Sequence, residues 1–286
     1  MNLLQIAILA FIQGMAELLP VSSSAHVIVA EKLMGIDPTS PAMTFMLVML
    51  HTGTMFAVLF YFWPRWKKIW QTASFISLVK SIVVATILTG VVGYGLKGVI
   101  EHAVLGGGGA QIEELFGNLT LISVSLFAAG VLIFIAGKKA ASGSELGSNP
   151  ESVPSELTTK QAVWIGIVQG LCLPFRGFSR SGATISTGLL TGVRRMLSED
   201  FSFALAVVLT PPVIVRELWR LQKAHELQDT FHAGVLMPGL IGMFFSAIAG
   251  FLALRWLSRW MERGKWHWFG YYCIAASVVV FCLEIR

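Results

Sequence analysis

Long apolar runs recur along this chain, and a helix needs about 20 apolar residues to cross the roughly 30 Å hydrocarbon core of a membrane. Five runs are long enough, and a sixth, which contains a Pro-Pro pair, is slightly short. The five cover residues 42–63, 75–99, 117–137, 234–254 and 267–284, and the sixth covers 202–219. Because backbone polar groups in lipid must be paired within the protein, we predict an all-α polytopic membrane protein with about six transmembrane helices.

Composition excludes the other broad classes. The 286 residues are 55% hydrophobic and 13% charged, whereas a soluble domain carries roughly 25% charged residues. A water-soluble globule, a disordered chain and a coiled coil are therefore excluded. The net charge of +5 comes from Lys and Arg clusters between the apolar runs, so we expect membrane lipids as partners and no nucleic acid.

Four further apolar pieces are too short to cross a membrane. They cover residues 3–19, 25–35, 161–174 and 183–193, and they form two pairs that are each split by a polar turn. Such pairs are typical of re-entrant helix hairpins, whose irregular backbone must be satisfied by protein or by a cavity. We therefore expect two re-entrant hairpins.

The two pairs are related by an offset of 156 residues. This offset places Gln13 over Gln169, Ser23 over Ser179 and Phe45 over Phe201 without a gap. Three crossing segments separate the pairs, so the second pair must enter from the opposite side of the membrane. The sequence predicts one domain, 1–286, with an inverted-topology repeat whose copies cover about 1–64 and about 157–220.

Basic residues predict the orientation, because cytoplasmic loops carry an excess of Lys and Arg. If Arg65 is cytoplasmic, alternation places twelve of the 21 Lys and Arg residues on that side. The twelve are Arg65, Lys67, Lys68, Lys138, Lys139, Lys160, Arg194, Arg195, Arg255, Arg259, Arg263 and Lys265. The polar segment 140–159 is then a cytoplasmic loop, and both termini lie on the outer, periplasmic side of an inner membrane.

Each turn between paired short helices carries hydroxyl residues where a helix is expected to begin. The first turn, Glu17 to His26, contains Ser22, Ser23 and Ser24, and the second, Pro174 to Thr184, contains Ser179 and Ser181. Such side chains cap helices, and a helix N-terminus attracts anions. If opposed hairpins meet near the membrane midplane, their helix starts and hydroxyls form a phosphate pocket.

Charged residues at membrane depth are the strongest candidates for chemistry. An arginine there is costly and functional by default, and the planar guanidinium of Arg180 suits phosphate. Glu17 lies one helical turn after Gln13 and needs a partner, a metal or a proton. Three functions fit Glu17: partner of Arg180, ligand of a divalent cation, or general base.

Histidines and further carboxylates give weaker signals. His26 is either a satisfied core residue or a nucleophile or acid–base group beside the pocket. His51 is a second, weaker candidate. Glu199 and Asp200 precede the apolar run that begins at Phe201, and helix capping explains them.

The two turns resemble those of the undecaprenyl-diphosphate phosphatases of bacteria, also known as bacitracin-resistance proteins. The resemblance rests on a (Glu/Gln)-x-x-x-Glu motif, Gln13 to Glu17, that runs into Leu-Pro-Val-Ser-Ser-Ser-Ala-His26. It rests further on Gly177-Phe-Ser-Arg-Ser-Gly-Ala-Thr184 and on the Phe-Ser-Phe-Ala-Leu-Ala segment from Phe201. It implies hydrolysis of a C55 polyprenyl diphosphate to its monophosphate, in a pocket reached from the outer face. It also implies a divalent cation, Mg²⁺ or Ca²⁺, with Glu17 as its candidate ligand.

These arguments define the predicted site. The catalytic candidates are Glu17, Ser23, His26, Ser179 and Arg180. The substrate-binding candidates are Gln13, Ser22, Ser24, Arg176, Gly177, Ser181, Gly182 and Thr184. Three features depart from the family pattern: Gln13 stands where many members have Glu, Arg176 stands in place of a proline, and a carboxylate is absent around residues 45–47.

The sequence leaves several alternatives open. The nucleophile is His26, a serine or water. A polyprenyl-phosphate transporter or flippase is the main rival function, because many carriers contain inverted repeats with broken helices. A non-catalytic lipid-binding paralogue is a third reading, prompted by Gln13 and Arg176. The oligomeric state is undetermined, and a homodimer is compatible with the sequence.

Overall fold

The computed structural model describes residues 1–38, 40–70, 72, 74–104, 115, 117–143, 156–223 and 234–285. This part of the chain is helical and contains no strand. Its α-helices are α1 (Leu3–Leu18), α2 (Ser23–Leu33), α3 (Pro41–Trp70), α4 (Ser74–Val99), α5 (Leu119–Gly143), α6 (Thr159–Cys172), α7 (Arg180–Leu190), α8 (Arg195–Lys223), α9 (Leu236–Glu262) and α10 (His267–Glu284). A π-helical turn, Ile100–Val104, continues α4.

Six of these helices, α3, α4, α5, α8, α9 and α10, are long and apolar enough to cross a membrane. The six predicted spans are therefore confirmed, and the chain is a multi-pass membrane protein. The span predicted at 202–219 is longer than expected, because α8 begins at Arg195 and continues through Pro211 and Pro212.

Glu199 and Asp200 lie inside α8, so the prediction that they cap a helix is wrong. Asp200 Oδ1 accepts a hydrogen bond from Arg65 Nη1 at 3.0 Å. The buried Glu199 accepts one through Oε1 from Ser258 Oγ at 2.5 Å, and Tyr61 donates to the same serine at 2.8 Å. These polar contacts join α3, α8 and α9, since buried charges need partners of this kind.

The same helix order occurs twice in the chain. Two short helices of 16 and 11 residues, α1 and α2, precede three long ones, and two short helices of 14 and 11 residues, α6 and α7, precede the next three. At 1.5 Å per residue, the longest of the short helices covers about 24 Å, less than the membrane core. Re-entrant insertion from opposite sides stays a prediction.

Each short hairpin packs against a long helix of the other half. The main partner of α1 is α9, and the main partner of α6 is α4. Gly14 and Gly170, which the 156-residue offset aligns, allow these close approaches. A Cβ on Gly14 would lie 2.6 Å from the carbonyl oxygen of Ser246, and one on Gly170 would lie 3.0 Å from that of Thr89. Small residues permit such backbone contacts in membrane bundles.

Several of the basic residues make polar contacts at one end of the bundle. Arg195 Nη2 donates to the Ala140 carbonyl at 2.8 Å, and Lys139 Nζ donates to the Leu190 carbonyl at 3.2 Å. The ends of α5 and α7 and the start of α8 therefore share one end, as the alternation of spans requires. The assignment of that end to the cytoplasm stays a prediction. Residues 144–155 of the predicted loop lie outside the described residues.

Candidate active site

The tips of the two short hairpins meet inside the bundle. The Gly177 N–H donates to Ser24 Oγ at 3.3 Å, and Ser181 Oγ donates to the Leu19 carbonyl at 3.4 Å. Arg180 Nη2 donates to Glu17 Oε1 at 3.1 Å, which makes an ion pair between the hairpins. The two turns therefore share one chamber.

This chamber is a cavity of about 110 Å³. It is lined by Ala16, Glu17, Ser22, Ser23 and Ser24 of the first hairpin, and by Phe178, Ser179, Arg180 and Ser181 of the second. The N-termini of α2 and α7 open onto it, so backbone N–H groups and the positive ends of two helix dipoles face the same space. Hydroxyls, a guanidinium and helix starts suit an oxyanion such as phosphate.

The second tip is held in shape by its helix cap and a glycine. Ser179 Oγ accepts a hydrogen bond from the Gly182 N–H at 3.2 Å and so caps α7. Gly177 has a φ of +98°, and a Cβ there would overlap the carbonyl oxygen of Ile122. Only glycine meets both conditions. The predicted binding residues Gly177 and Gly182 thus shape the turn through their backbones.

The first tip is built differently. Ser22 precedes α2 with a φ of +67° and makes no side-chain cap, so the prediction of a hydroxyl cap is wrong for Ser22. This backbone conformation costs a non-glycine residue about 1–3 kcal/mol. His26 Nδ1 lies 2.8 Å from the Ser22 carbonyl oxygen, and because a carbonyl can only accept, Nδ1 carries the hydrogen. That hydrogen bond supports the strained tip.

Glu17 is the centre of the polar contacts. Its Oε2 accepts hydrogen bonds from Ser23 Oγ at 2.5 Å and from Gln13 Nε2 at 3.3 Å, while Oε1 accepts from Arg180. His51 Nε2 lies 3.8 Å from the same Oε2. Arg180 and Ser23 are therefore joined through one carboxylate, in a cavity that two chain segments 163 residues apart create.

A family model described as bacitracin resistance protein BacA matches residues 6–279 of the chain. The chain belongs to this family. A BacA relative from Acinetobacter baylyi, undecaprenyl-diphosphatase 2, is 53% identical over 292 residues, covering 99% of this chain and 98% of its own length. Undecaprenyl-diphosphatase 2 of Burkholderia ambifaria is 32% identical over 293 residues, covering 97% and 95%. Undecaprenyl-diphosphatase 1 of Burkholderia pseudomallei strain K96243 is 33% identical over 298 residues, covering 99% and 96%.

His26 lies beside the cavity of this BacA-family chain and is not among its lining residues. With Nδ1 bonded to Ser22, the ring nitrogen Nε2 accepts from the Tyr272 hydroxyl at 2.7 Å, and the two rings are stacked 5.7 Å apart. The nitrogen that would attack phosphorus is therefore engaged. Sequence reasoning missed Tyr272, because it lies on α10 among interfacial aromatic residues and has no local link to the first turn.

Besides Gly177 and Gly182, three predicted binding residues lie outside the cavity lining. Thr184 Oγ1 donates to the Arg180 carbonyl at 2.9 Å and contacts Ser202 Oγ at 2.6 Å, so it braces α7 against α8. Arg176 interacts electrostatically with Glu31 of α2. Gln13 reaches the site only through its hydrogen bond to Glu17. These side chains support the site from outside.

The oxygen ligands that this cavity would offer a divalent cation are the carboxylate of Glu17 and the serine hydroxyls. Mg²⁺ prefers octahedral oxygen ligands at about 2.1 Å, commonly one or two carboxylates with substrate phosphates. Among the lining residues Glu17 is the one carboxylate, and both of its oxygens already accept hydrogen bonds. Within the described residues, no group of three or more His, Cys, Asp and Glu side chains is placed to hold a metal ion.

Proposed function

We propose that this chain hydrolyses undecaprenyl diphosphate to undecaprenyl phosphate and inorganic phosphate, the step that recycles the lipid carrier of cell-wall synthesis. It is an enzyme of the BacA family whose relatives are named undecaprenyl-diphosphatases over nearly the whole chain. The observation that carries the proposal is the 3.1 Å pair between Arg180 and Glu17 inside a cavity lined by serine hydroxyls.

Arg180 holds the diphosphate. A guanidinium has five N–H donors, and the bond to Glu17 leaves others to bind phosphate oxygens. The first N–H groups of α2 and α7 add donors on either side of it. This arrangement binds the anion and neutralises charge that develops on the transferred phosphoryl group.

Ser23 is the favoured nucleophile. Its hydroxyl donates to Glu17 at 2.5 Å, which is the contact a general base needs. Ser179 is engaged as a helix cap, and His26 is engaged by Tyr272. The Ser23 oxygen bonds to the terminal phosphorus, its proton passes to Glu17, and undecaprenyl phosphate leaves with the electrons of the broken P–O bond. Water then hydrolyses the phosphoserine and releases inorganic phosphate.

Phosphate release from undecaprenyl diphosphate by the purified protein in detergent tests the proposal. Arg180→Ala should lower kcat/KM by about 10³-fold or more, the scale at which an arginine acts in phosphoryl transfer. Arg220→Ala is the matched control, because the Arg220 side chain is 70% exposed and pairs only weakly with Glu217. Normal turnover by Arg180→Ala would exclude this mechanism.

The same assay separates hydrolysis from the rival functions. Detergent micelles have no two sides, so a carrier of polyprenyl phosphates would release no phosphate from the diphosphate. A non-catalytic paralogue would bind the lipid and also release none. Phosphate release in stoichiometric excess over protein is the outcome that supports the enzyme.

We also propose that the protein lies in the inner membrane with both termini outside. The support is the gathering of basic residues at one end of the bundle, where Arg195 and Lys139 contact neighbouring carbonyls. A reporter that matures only outside the cytoplasm, fused to the C-terminus, should be active. The proposed homodimer is tested by the mass of the detergent-solubilised protein, corrected for bound detergent.

A further inference from the structure

Helix α10 contacts the first hairpin tip through two neighbouring side chains. The Tyr272 hydroxyl is hydrogen-bonded to His26 Nε2 at 2.7 Å, and the two rings are stacked. Beside it, the buried Cys273 donates through Sγ to the Pro20 carbonyl at 3.3 Å. Helix α10 lies outside both copies of the repeat, since the second copy ends near residue 220. A helix from outside the repeat therefore supports the tip that carries the proposed nucleophile.

The contact with Tyr272 completes a chain of hydrogen bonds that leads to the strained tip. The other ring nitrogen of His26, Nδ1, donates to the Ser22 carbonyl at 2.8 Å, and Ser22 is the residue with a φ of +67°. The imidazole ring is therefore held at both nitrogens, by α10 on one side and by the tip backbone on the other. Because Ser23 directly follows Ser22, the backbone that this ring holds also directs the Ser23 hydroxyl toward Glu17.

The second tip is supported in a different way. The 156-residue offset places Gly182 over His26, and a Cβ on Gly182 would lie 2.7 Å from Ile133 Cδ1 of α5. The Ile122 carbonyl of the same helix lies against Gly177. The second tip thus rests on α5 through backbone and apolar contacts, whereas the first tip depends on a pair of polar side chains.

Helices α5 and α10 form one closely packed pair, so both tips are supported by the same unit. The main packing partner of α10 is α5. Glycines permit this approach: a Cβ on Gly270 would lie 2.8 Å from the Gly130 carbonyl oxygen, and one on Gly137 would overlap the backbone nitrogen of His267. Because close-packed helices transmit displacement to one another, this pair carries Tyr272 in register with the second tip.

We propose that Tyr272 is a positioning residue for the reaction. It acts through His26 to hold the first tip in the conformation that keeps Ser23 against Glu17. The inference rests on the proposed function for the reaction that takes place at this tip. In that mechanism the diphosphate is held by Arg180 and the start of α7, on the other hairpin. Loss of the Tyr272 hydroxyl should therefore lower kcat and leave KM nearly unchanged.

The first experiment uses Tyr272→Phe, which removes the hydroxyl and keeps the stacked ring. We expect kcat for phosphate release from undecaprenyl diphosphate to fall about tenfold, the scale of one lost hydrogen bond, with KM within about twofold of the wild type. Tyr271→Phe is the matched control, because Tyr271 is 47% exposed and Tyr272 is 48% exposed, and the Tyr271 ring packs against Phe134. Unchanged kcat in Tyr272→Phe, or an equal loss in Tyr271→Phe, would overturn the inference.

A double-mutant cycle tests whether Tyr272 acts through His26. His26→Asn keeps a donor for the Ser22 carbonyl and removes the nitrogen that contacts Tyr272, so this variant should also lose about tenfold in kcat. Tyr272→Phe should then change kcat less than about twofold when His26→Asn is already present, because residues that act through one contact are not additive. A further tenfold loss in the double variant would show that Tyr272 acts independently of His26 and would overturn the inference.

Nuclear magnetic resonance of the His26 ring gives a readout that does not depend on turnover. In protein with ¹⁵N-labelled histidine, the Nε2 resonance is assigned by its loss in His26→Asn. It should shift in Tyr272→Phe, because its hydrogen bond is lost, and should keep its position in Tyr271→Phe. An unmoved resonance in Tyr272→Phe would overturn the inference. A wild-type chain that releases no phosphate contradicts the proposed function, and the resonance then still decides whether Tyr272 holds His26.

Discussion

The two hairpins have the same helix order and yet carry opposite chemistry. In the first, Glu17 supplies the acid and Ser23 the hydroxyl beside it. In the second, Arg180 supplies the cation, and the aligned serine, Ser179, caps a helix. The 156-residue offset places Leu173, which is 52% exposed, where the first copy has Glu17. The two hairpins thus share one helix order, while Glu17 stands only in the first and Arg180 only in the second.

The backbones of their tips are also held in shape differently. The second tip is capped by Ser179 and contains Gly177 at a φ of +98°, and much of α7 is buried. The first has a non-glycine residue, Ser22, at a φ of +67° without a side-chain cap. In the proposed mechanism, the second hairpin positions the phosphate and the strained first tip performs the proton transfer. The expected effects of substitution follow from this division.

Ser23→Ala should have the largest effect and lower kcat by about 10³-fold or more, because it removes the proposed nucleophile. Phosphate release measured with excess substrate checks this, and radiolabelled terminal phosphate should be trapped on wild-type protein after acid quench. Ser181→Ala in the other tip is the control. Equal losses of kcat in Ser23→Ala and Ser181→Ala would contradict the proposed division of functions between the two hairpins.

Glu17→Gln should lower kcat by roughly 10²-fold or more, since it removes a general base. Leu173→Gln introduces the same side chain at the aligned position of the second hairpin and should change kcat less than about twofold. If Glu17→Gln retains as much activity as Leu173→Gln, the Glu17 carboxylate serves only to join the hairpins.

His26→Ala should lower kcat by about 10²-fold, because the Ser22 carbonyl loses the hydrogen bond from Nδ1 and the strained tip is released. His26→Asn places an amide donor where Nδ1 stands and should recover about tenfold of that loss. Rates at saturating substrate measure both. If His26 were the nucleophile, His26→Asn would recover none of the lost kcat. That result would contradict a positioning function for His26.

Ser179→Ala should have the smallest effect on catalysis, below about fivefold in kcat, and should lower stability by about 1 kcal/mol through loss of the α7 cap. The midpoint of thermal unfolding in detergent measures the stability change. Thr158→Ala removes the corresponding cap of α6 and is the comparison. A loss of kcat at Ser179 as large as that at Ser23 would make the two serines equivalent.

Much of the fold followed from local pattern. Apolar runs marked the spans to within a few residues at most ends, since hydrocarbon thickness sets helix length. One of the larger misses was the start of α8, which begins at Arg195 and not near residue 202. The polar stretch Ser198 to Asp200 read as the end of the apolar run, so the sequence placed the helix start after it. The stretch lies inside α8 because the Glu199 carboxylate is paired with Ser258, which is far away in sequence.

The candidate site was less completely predictable. Glu17, Ser23 and Arg180 stood out because charged or hydroxyl groups at membrane depth are costly unless used. The contacts of Tyr272 with His26 and of His51 with Glu17 were not predictable from the sequence. Both depend on which faces of α10 and α3 turn toward the first hairpin. Thr184 and Arg176 were predicted to bind substrate; the structure shows Thr184 in contact with Ser202 and Arg176 interacting electrostatically with Glu31, both outside the cavity lining.

The membrane class, the count of spans, the repeated order of helices and the family were all predictable from local features, because hydrophobic length and contiguous motifs lie along the chain. The packed helices were needed to show that Ser23 bonds Glu17, that His51 lies near the same carboxylate and that Nε2 of His26 is engaged by Tyr272. Those pairings depend on distances of about 3 Å between residues as far apart as His26 and Tyr272, and such distances arise only once separate helices have packed.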